Sequence, residues 1–419
     1  MNKFLRFSFA SVLVLAFCAA ALAQGTVTGA IGGSVTNPNR EVVAGATVTV
    51  KNNGTGKEDA ATTDDSGRFK VSALQPGEYT LTVNASGFAA FSQPKVIVEV
   101  GRETTLEVPL SVQGVTGTVQ ITAEAPVINT TQQDFSSNMN QTSIKELPIN
   151  GQRWSNYALL TPGTVPDANF GLISFRGISG LLNNNTIDGG DNNQAFFSEE
   201  RGRTRINYVV SQRAVREFQV NTSNYSAEYG RAAGGVTNAV TRSGTNQFHG
   251  DAFFFDRDNR LGTRNPLAFL RTFDSASNTT TVTGIKPVDK RYTFGGDIGG
   301  PIKKDKAFFF FNYDEVRRNF PGLAIFTNGA FTTPVTSGGF LNTCTATTQA
   351  GCTSTLVTQS LVNPTTRNLS ATQINSVVSF LTSETGPTPR VGNQRIFMPK
   401  VDINLNSKNT LTATYNRFR

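Results

Sequence analysis

Chemistry in this chain would have to run through very few side chains. One histidine, His249, is present in 419 residues, so any Ser-His-Asp or Cys-His system would depend on that single ring, and a multi-histidine zinc site is impossible. No GxxxxGK[ST] phosphate loop occurs, and the scattered glycine pairs have no nucleotide role. Asp64 and Asp65 place two carboxylates together as a calcium site would, but Asp64-Asp65-Ser66-Gly67 is equally the signature of a tight turn. The densest group of binding-type residues falls in 191–207, which holds Phe196, Phe197, Arg201, Arg203 and Arg205. Aromatic faces beside guanidinium groups can stack on and hydrogen-bond an anionic or sugar-like ligand. The same cations can pair with Glu199, Glu200 or carboxylates elsewhere. The residue types favour binding over turnover, and no catalytic residue, metal ligand set or cofactor is expected.

The N-terminus sets the compartment. Lys3 and Arg6 precede an apolar stretch from Phe7 to Ala21, which closes on Ala21-Leu22-Ala23. That is the pattern of a cleaved secretory signal over residues 1–23, and the run is shorter than the ~20 apolar residues a spanning helix needs. Export leaves Cys344 and Cys352 as the remaining thiols, and an oxidising compartment lets them pair as a local staple. No third or fourth metal ligand is near them in sequence. Net charge is +8, but only 16% of residues are charged and no Lys/Arg run occurs, which argues against a nucleic-acid partner.

The elements that would position these residues are mainly β. Residues 27–112 alternate in short runs: Ala46 to Lys51, Tyr79 to Asn84, and Leu106, Val108 and Leu110 between polar neighbours. One apolar face and one wet face mark a half-buried strand, and about seven such strands between turns of Asn, Asp, Pro and Gly make a sandwich. Residues 126–245 are mixed, with short helices predicted near Ser143–Glu146 and Trp154–Leu160 and strands at Glu217–Asn221 and Gly235–Arg242. Residues 246–419 contain five stretches that read as strands: Gln247–Asp256, Arg291–Gly299, Lys306–Val316, Ile396–Asn404 and Thr410–Phe418. Tyr292, Phe294 and Ile298 alternate with Thr293, Gly295 and Asp297, and Val401 and Ile403 alternate with Asp402 and Asn404. Apolar-out, polar-in strands of about ten residues suit a transmembrane barrel, although a soluble sandwich also alternates. The connections decide between them: 300–305 and 405–409 are short, whereas 258–290 and 318–395 are long. Short turns at one end and long loops at the other are barrel topology.

Several motifs then carry a resemblance. Gly45-Ala46-Thr47-Val48-Thr49-Val50, Gly67-Arg68-Phe69, Pro76-Gly77-x-Tyr79 and Gly87-Phe88 resemble the carboxypeptidase-regulatory-like domain, which implies a carbohydrate-binding-like β-sandwich without peptidase residues. Phe175-Arg176-Gly177, Asp188-Gly189-Gly190, Glu217-Phe218-Gln219-Val220 and Gly234-Gly235-Val236-x-Asn238, in that order, resemble the plug domain of TonB-dependent receptors, and Gln141 to Gly163, with Leu147-Pro148-x-x-Gly151 and Leu159, resembles the large Oar-like ones that carry an N-terminal sandwich. In the linker 113–125, Thr118, Val119, Gln120, Ile121, Thr122 and Ala123 resemble a TonB box, a mobile peptide that adds a strand to its partner's sheet edge. A last sandwich strand or a plain linker accounts for the same six residues.

The resemblance implies a receptor-transporter of the outer membrane, its N-terminal domain in the periplasm, with TonB and outer-membrane lipid as partners. Siderophores, oligosaccharides and peptides are all ligand classes of this architecture. An adhesin-like surface protein whose sandwich binds carbohydrate is the alternative; a peptidase would have only His249 to work with. A plugged barrel of this type has about 22 strands. Five cannot close one, so the chain is expected to carry a complete sandwich and plug beside an incomplete wall, as a fragment or truncated product of a longer receptor.

Overall fold

The computed structural model describes residues 27–112, 135–147, 149–167, 172–195, 201, 208–274, 279–324, 380, 386–406 and 409–419. The signal sequence, the linker with Thr118–Ala123, the four residues Phe196, Phe197, Arg203 and Arg205, and the cysteines Cys344 and Cys352 lie outside the described residues. The chain divides into two compact units. One comprises Met1–Phe253, Gly295–Asp314 and Gln394–Arg419, and the other Phe254–Phe294 and Glu315–Asn393.

The first unit opens with seven strands: β1 (Gly29–Thr36), β2 (Thr47–Asn52), β3 (Glu58–Thr62), β4 (Arg68–Leu74), β5 (Gly77–Asn84), β6 (Phe91–Val98) and β7 (Glu103–Pro109). They form two sheets, β4-β1-β7 and β3-β2-β5-β6. The predicted alternation becomes the core: Val48, Val50, Leu81, Val83, Val98 and Val108 are fully buried between the sheets. Burying a side chain of this size contributes ~1.5–3 kcal/mol, which makes the apolar face the main source of stability here. The Asp64 carboxylate is used by its own turn, accepting from the Ser66 and Arg68 backbone N–H groups and from the Ser66 hydroxyl. Those bonds, the hydroxyl's first, hold its pKa below the ordinary carboxylate value.

A central domain follows. Its five-stranded sheet runs β12-β11-β14-β13-β8, from β8 (Phe135–Met139), β11 (Asn184–Ile187), β12 (Gly190–Asp191), β13 (Val215–Ser223) and β14 (Val236–Thr241). A separate small pair joins β9 (Thr164–Pro166) to β10 (Ile173–Phe175). The two predicted helices appear as α1 (Gln141–Glu146), whose first turn is capped by the Asn140 side chain, and a 3₁₀ segment at Trp154–Leu160. Trp154 and Tyr157 bury against Phe218 at ring separations of 5.8 and 6.0 Å. β11 is parallel to β14, while β13 is antiparallel to both β14 and β8, so the sheet is mixed.

The C-terminal sheet has the order β15-β18-β19-β22-β23, with β24 also pairing β22. Its strands are β15 (His249–Asp258), β18 (Lys290–Lys303), β19 (Ala307–Asn319), β22 (Gln394–Asn404), β23 (Thr410–Thr414) and β24 (Arg417–Phe418). The sheet is open, with β15 and β23 at its edges. Two local readings are corrected. The strand read as ending at Gly299 stays extended to Lys303, so the connection read as 300–305 becomes residues 304–306. Asp305 turns the chain there with φ of 63°, tied to Asn246 through its N–H at 2.9 Å and its carboxylate at 2.7 Å. The final stretch, read as one strand, breaks at Tyr415 and Asn416, where the Asn416 amide turns to donate to the Val209 carbonyl at 2.9 Å.

The long connections, read as loops, contain hairpins of their own in the second unit. β16 (Phe269–Asp274) pairs with β17 (Thr279–Gly284), and β20 (Gly322–Ala324) with β21 (Gly386–Thr388). In that unit Arg318 binds Asp289 through two bonds of 2.8 and 2.9 Å, and both Arg318 and Arg390 lie over the Phe320 ring.

Candidate functional site

The inner face of the C-terminal sheet is polar and buried, and its outer face is apolar and exposed. Thr293, Asp297, Asn312, Asp314, Lys400 and Asp402 are each buried, whereas Ile298, Phe397 and Leu411 are 46, 44 and 53% exposed. The alternation in the sequence thus places polar side chains inside, against the central domain of the same unit. Phe310 and Met398, also inward, complete that domain's core.

The signature residues of the central domain mostly build the domain itself. Phe175 ends β10, and Arg176 and Gly177 turn the chain with φ of 52° and 83°. The Arg176 guanidinium lies 5.3 Å from the Phe135 ring centre and donates to the Ser223 hydroxyl at 2.6 Å. Gly235 must lack a side chain, because a Cβ there would sit 2.4 Å from the Phe175 ring. The Asn183 side-chain oxygen accepts the Gly235 N–H at 3.0 Å and fills the space a Cβ on Gly234 would need. Asn238 is fully buried, accepting from the Thr186 hydroxyl at 2.7 Å.

Asp188 does more than shape a turn. With Gly189 it connects β11 to β12 at positive φ, and its carboxylate accepts the Thr241 N–H at 2.8 Å and the Thr241 hydroxyl. Lys400, buried on β22 of the C-terminal sheet, reaches the same place, 3.5 Å from Asp188 and 2.9 Å from the Thr241 hydroxyl.

Two further polar links were not singled out from the sequence. Arg242, at the end of β14, pairs with Asp297 at 2.6 Å and approaches Asp251 at 3.6 Å, and Lys145 of α1 holds Asp251 at 2.8 Å. Asp314 accepts from Tyr208 at 2.9 Å and Ser211 at 2.6 Å, and the Gln394 amide donates to the Tyr208 carbonyl. The available signal was the charge on the polar face of each strand, since a carboxylate or ammonium facing inward must find a partner. Of the expected ligand-contact residues, Arg201 alone is described. It is exposed, and its backbone N–H donates to the Asn192 carbonyl at 2.8 Å.

The sandwich packs against β13 and the edge strand β8 of the central sheet. The Glu217 carboxylate accepts the Val100 N–H, the Asn138 amide donates to the Val100 carbonyl at 3.1 Å, and Gly101 packs on the Gln219 amide. Burial pushes the Glu217 carboxyl up to about 7, against the pull of the Val100 N–H and of Arg216.

Two parts of the chain match known families. Residues 30–111 match the carboxypeptidase regulatory-like domain and residues 240–419 an outer membrane beta barrel domain. The TonB-dependent transporter Oar of Myxococcus xanthus is 28% identical over 305 residues, covering 71% of this chain and 27% of that protein. The chain therefore spans about a quarter of that relative's length. Among solved structures, the outer membrane transporter YddB from Escherichia coli aligns at 12% identity with a TM-score of 0.42, over 67% of this chain and 33% of that one. The siderophore receptor PirA from Pseudomonas aeruginosa aligns at 13% identity with a TM-score of 0.33, over 68% and 36%. Overlaps this low carry no argument about the site.

Proposed function

We propose, from the premise that this chain belongs to the TonB-dependent receptors of the outer membrane, that it takes part in the energised uptake of a scarce ligand. The sandwich is the periplasmic module, the central domain is the plug, and the C-terminal sheet is barrel wall. Ligand binds from outside, where Phe196, Phe197, Arg201, Arg203 and Arg205 are the contacts we assign to an anionic or sugar-like molecule. TonB engages Thr118–Ala123 by strand addition and pulls, and the plug yields.

The observation that carries this reading is the chemistry of the plug–wall contact. Lys400 with Asp188, Arg242 with Asp297, and Asp314 with Tyr208 and Ser211 are hydrogen-bonded contacts set beside the apolar ones of Phe310 and Met398. A hydrogen bond between protein groups is worth only ~0.5–1.5 kcal/mol net because water replaces it. The polar part of this contact can separate from the wall as water enters, which leaves a small apolar contact for the pull to overcome. The transporter named above supports the same class of activity.

Deleting Thr118–Ala123 tests the energised step. Outer-membrane insertion should persist, while disulfide crosslinking between a cysteine at Gln120 and the periplasmic domain of TonB should form in the Gln120→Cys chain and fail when the flanking box residues are removed. Unchanged crosslinking without the box would overturn the assignment.

A further inference from the structure

Arg216 is left over by every link described above. It lies on β13 beside Glu217, where the pairing with β14 shifts register between Val215 and Glu217. Its guanidinium reaches the sandwich, where a Cβ on Gly77 would lie 3.0 Å from Nη2. Arg216 makes no hydrogen bond or ion pair among the described residues. The acidic groups nearby are committed elsewhere. Glu217 holds the Val100 N–H. Tyr79 donates its hydroxyl to the Gln75 carbonyl at 2.8 Å, and burial pushes that phenol up to about 12, so it stays neutral. Asp251 is held by Lys145 at 2.8 Å. Desolvation drives the Arg216 pKa below its ordinary value, partly offset by the charge of Glu217, to which it makes no hydrogen bond.

This cation faces a cavity. A space of about 620 Å³ is lined by Arg216, Arg242, Lys145, Gln141, Thr142 and Asp251, among others. The lining carries three cations, Lys145, Arg216 and Arg242, against one carboxylate, Asp251, with neutral donors such as Gln141, Thr142 and Gln247 between them, and Asp297 outside the lining takes up the charge of Arg242. Of the three cations, Arg216 is the one that no carboxylate binds within ion-pair distance among the described residues. A guanidinium presents a planar fork of donors that matches two oxygens of one phosphate or carboxylate.

We infer that this cavity, lined by α1, β13, the end of β14 and the start of the first wall strand, is an oxyanion site that takes a phosphate group on Arg216, with Lys145 as its second cation. The free phosphate of the periplasm and the headgroup of a phospholipid share that chemistry. The inference does not depend on what the receptor transports.

The test is isothermal titration of the full chain in detergent micelles with inorganic phosphate and, separately, with a short-chain phosphatidate. Saturable one-to-one binding is expected, weakened at least tenfold by Arg216→Gln and less by Arg216→Lys. Tighter binding of inorganic phosphate names the free ion as the source, and tighter binding of phosphatidate names the lipid. Absence of saturable binding to both probes, or equal binding by Arg216→Gln, overturns the site. Should Arg216→Gln fail to fold, phenylglyoxal labelling of the unaltered chain gives the same decision. Phosphate should slow modification of Arg216 severalfold, and an unchanged labelling rate rejects the proposal.

Discussion

The sandwich and the barrel wall are written in the same alternating code and fold with opposite faces inward. In β2 and β5 the buried residues are Val48, Val50, Leu81 and Val83, with threonine and lysine outside. In β18 and β22 the buried residues include Thr293, Asp297, Lys400 and Asp402, with Ile298 and Phe397 outside. A strand cannot say which of its faces will be covered. The medium decides: water outside the sandwich drives the apolar face in, and hydrocarbon outside the wall leaves it out. What differs is how each inner face is held, by packed methyl groups in one and by paired charges in the other.

That difference can be broken at the inner faces first. Arg242→Ala leaves Asp297 buried without its cation and should cost ~3–5 kcal/mol, read as a lower urea midpoint for the plug and wall. The double change Arg242→Met with Asp297→Leu should recover most of the loss. In the sandwich, Leu81→Ala should cost ~2–5 kcal/mol through the cavity it leaves, and no second change of charge should rescue it. If the Arg242→Ala chain unfolds as the unaltered one does, the charged links are not what holds the wall to the plug.

The outer faces give a smaller and sharper contrast. Ile298→Lys puts an ammonium on the lipid face and should cost ~2–4 kcal/mol near mid-bilayer, measured as unfolding from lipid vesicles. Thr47→Lys, on the outer face of the sandwich, should stay within ~0.5 kcal/mol. Equal costs at the two positions would mean that both faces meet the same medium.

The smallest effect lies at the joint between the two regions. Glu217 titrates near 7 in the folded chain against an ordinary value of 4.5, so the folded state binds the extra proton between those values. With the folded pKa raised, the contribution is greatest below about 4.5 and is lost as pH rises toward about 7. Melting of the sandwich–plug contact should therefore ease with rising pH in that window, by up to about 1.4 kcal/mol per pH unit. Glu217→Gln should flatten the slope, and a slope that survives the substitution assigns it to another group.

Much of the architecture was legible because it rests on local rules. About seven sandwich strands, a helix near Ser143–Glu146 and strand starts at Arg291 and Lys306 follow from alternation and turn chemistry, and the structure has seven strands, a helix at Gln141–Glu146 and starts at Lys290 and Ala307. The strand end was placed at Gly299, four residues short of Lys303, because glycine and proline at Gly300 and Pro301 break the alternation and yet can continue a strand. The hairpins inside the long connections were missed because polar, glycine-bearing runs such as Thr279–Gly284 show no apolar period. Within the site, glycine and asparagine motifs were visible by their spacing, whereas Arg242, Lys145 and Arg216 looked like ordinary scattered cations.

By itself, then, the sequence determined an exported, mainly β chain, the order of its sandwich, plug and wall, and the absence of a multi-histidine centre, because period, turn residues and composition are properties of neighbours along the chain. Tertiary structure alone decided that Asp188 meets Lys400 and Arg242 meets Asp297, and that Arg216 makes no hydrogen bond or ion pair among the described residues. Those pairings join residues more than fifty positions apart, and charge complementarity at that range depends on the fold that brings the groups within a few ångströms of each other.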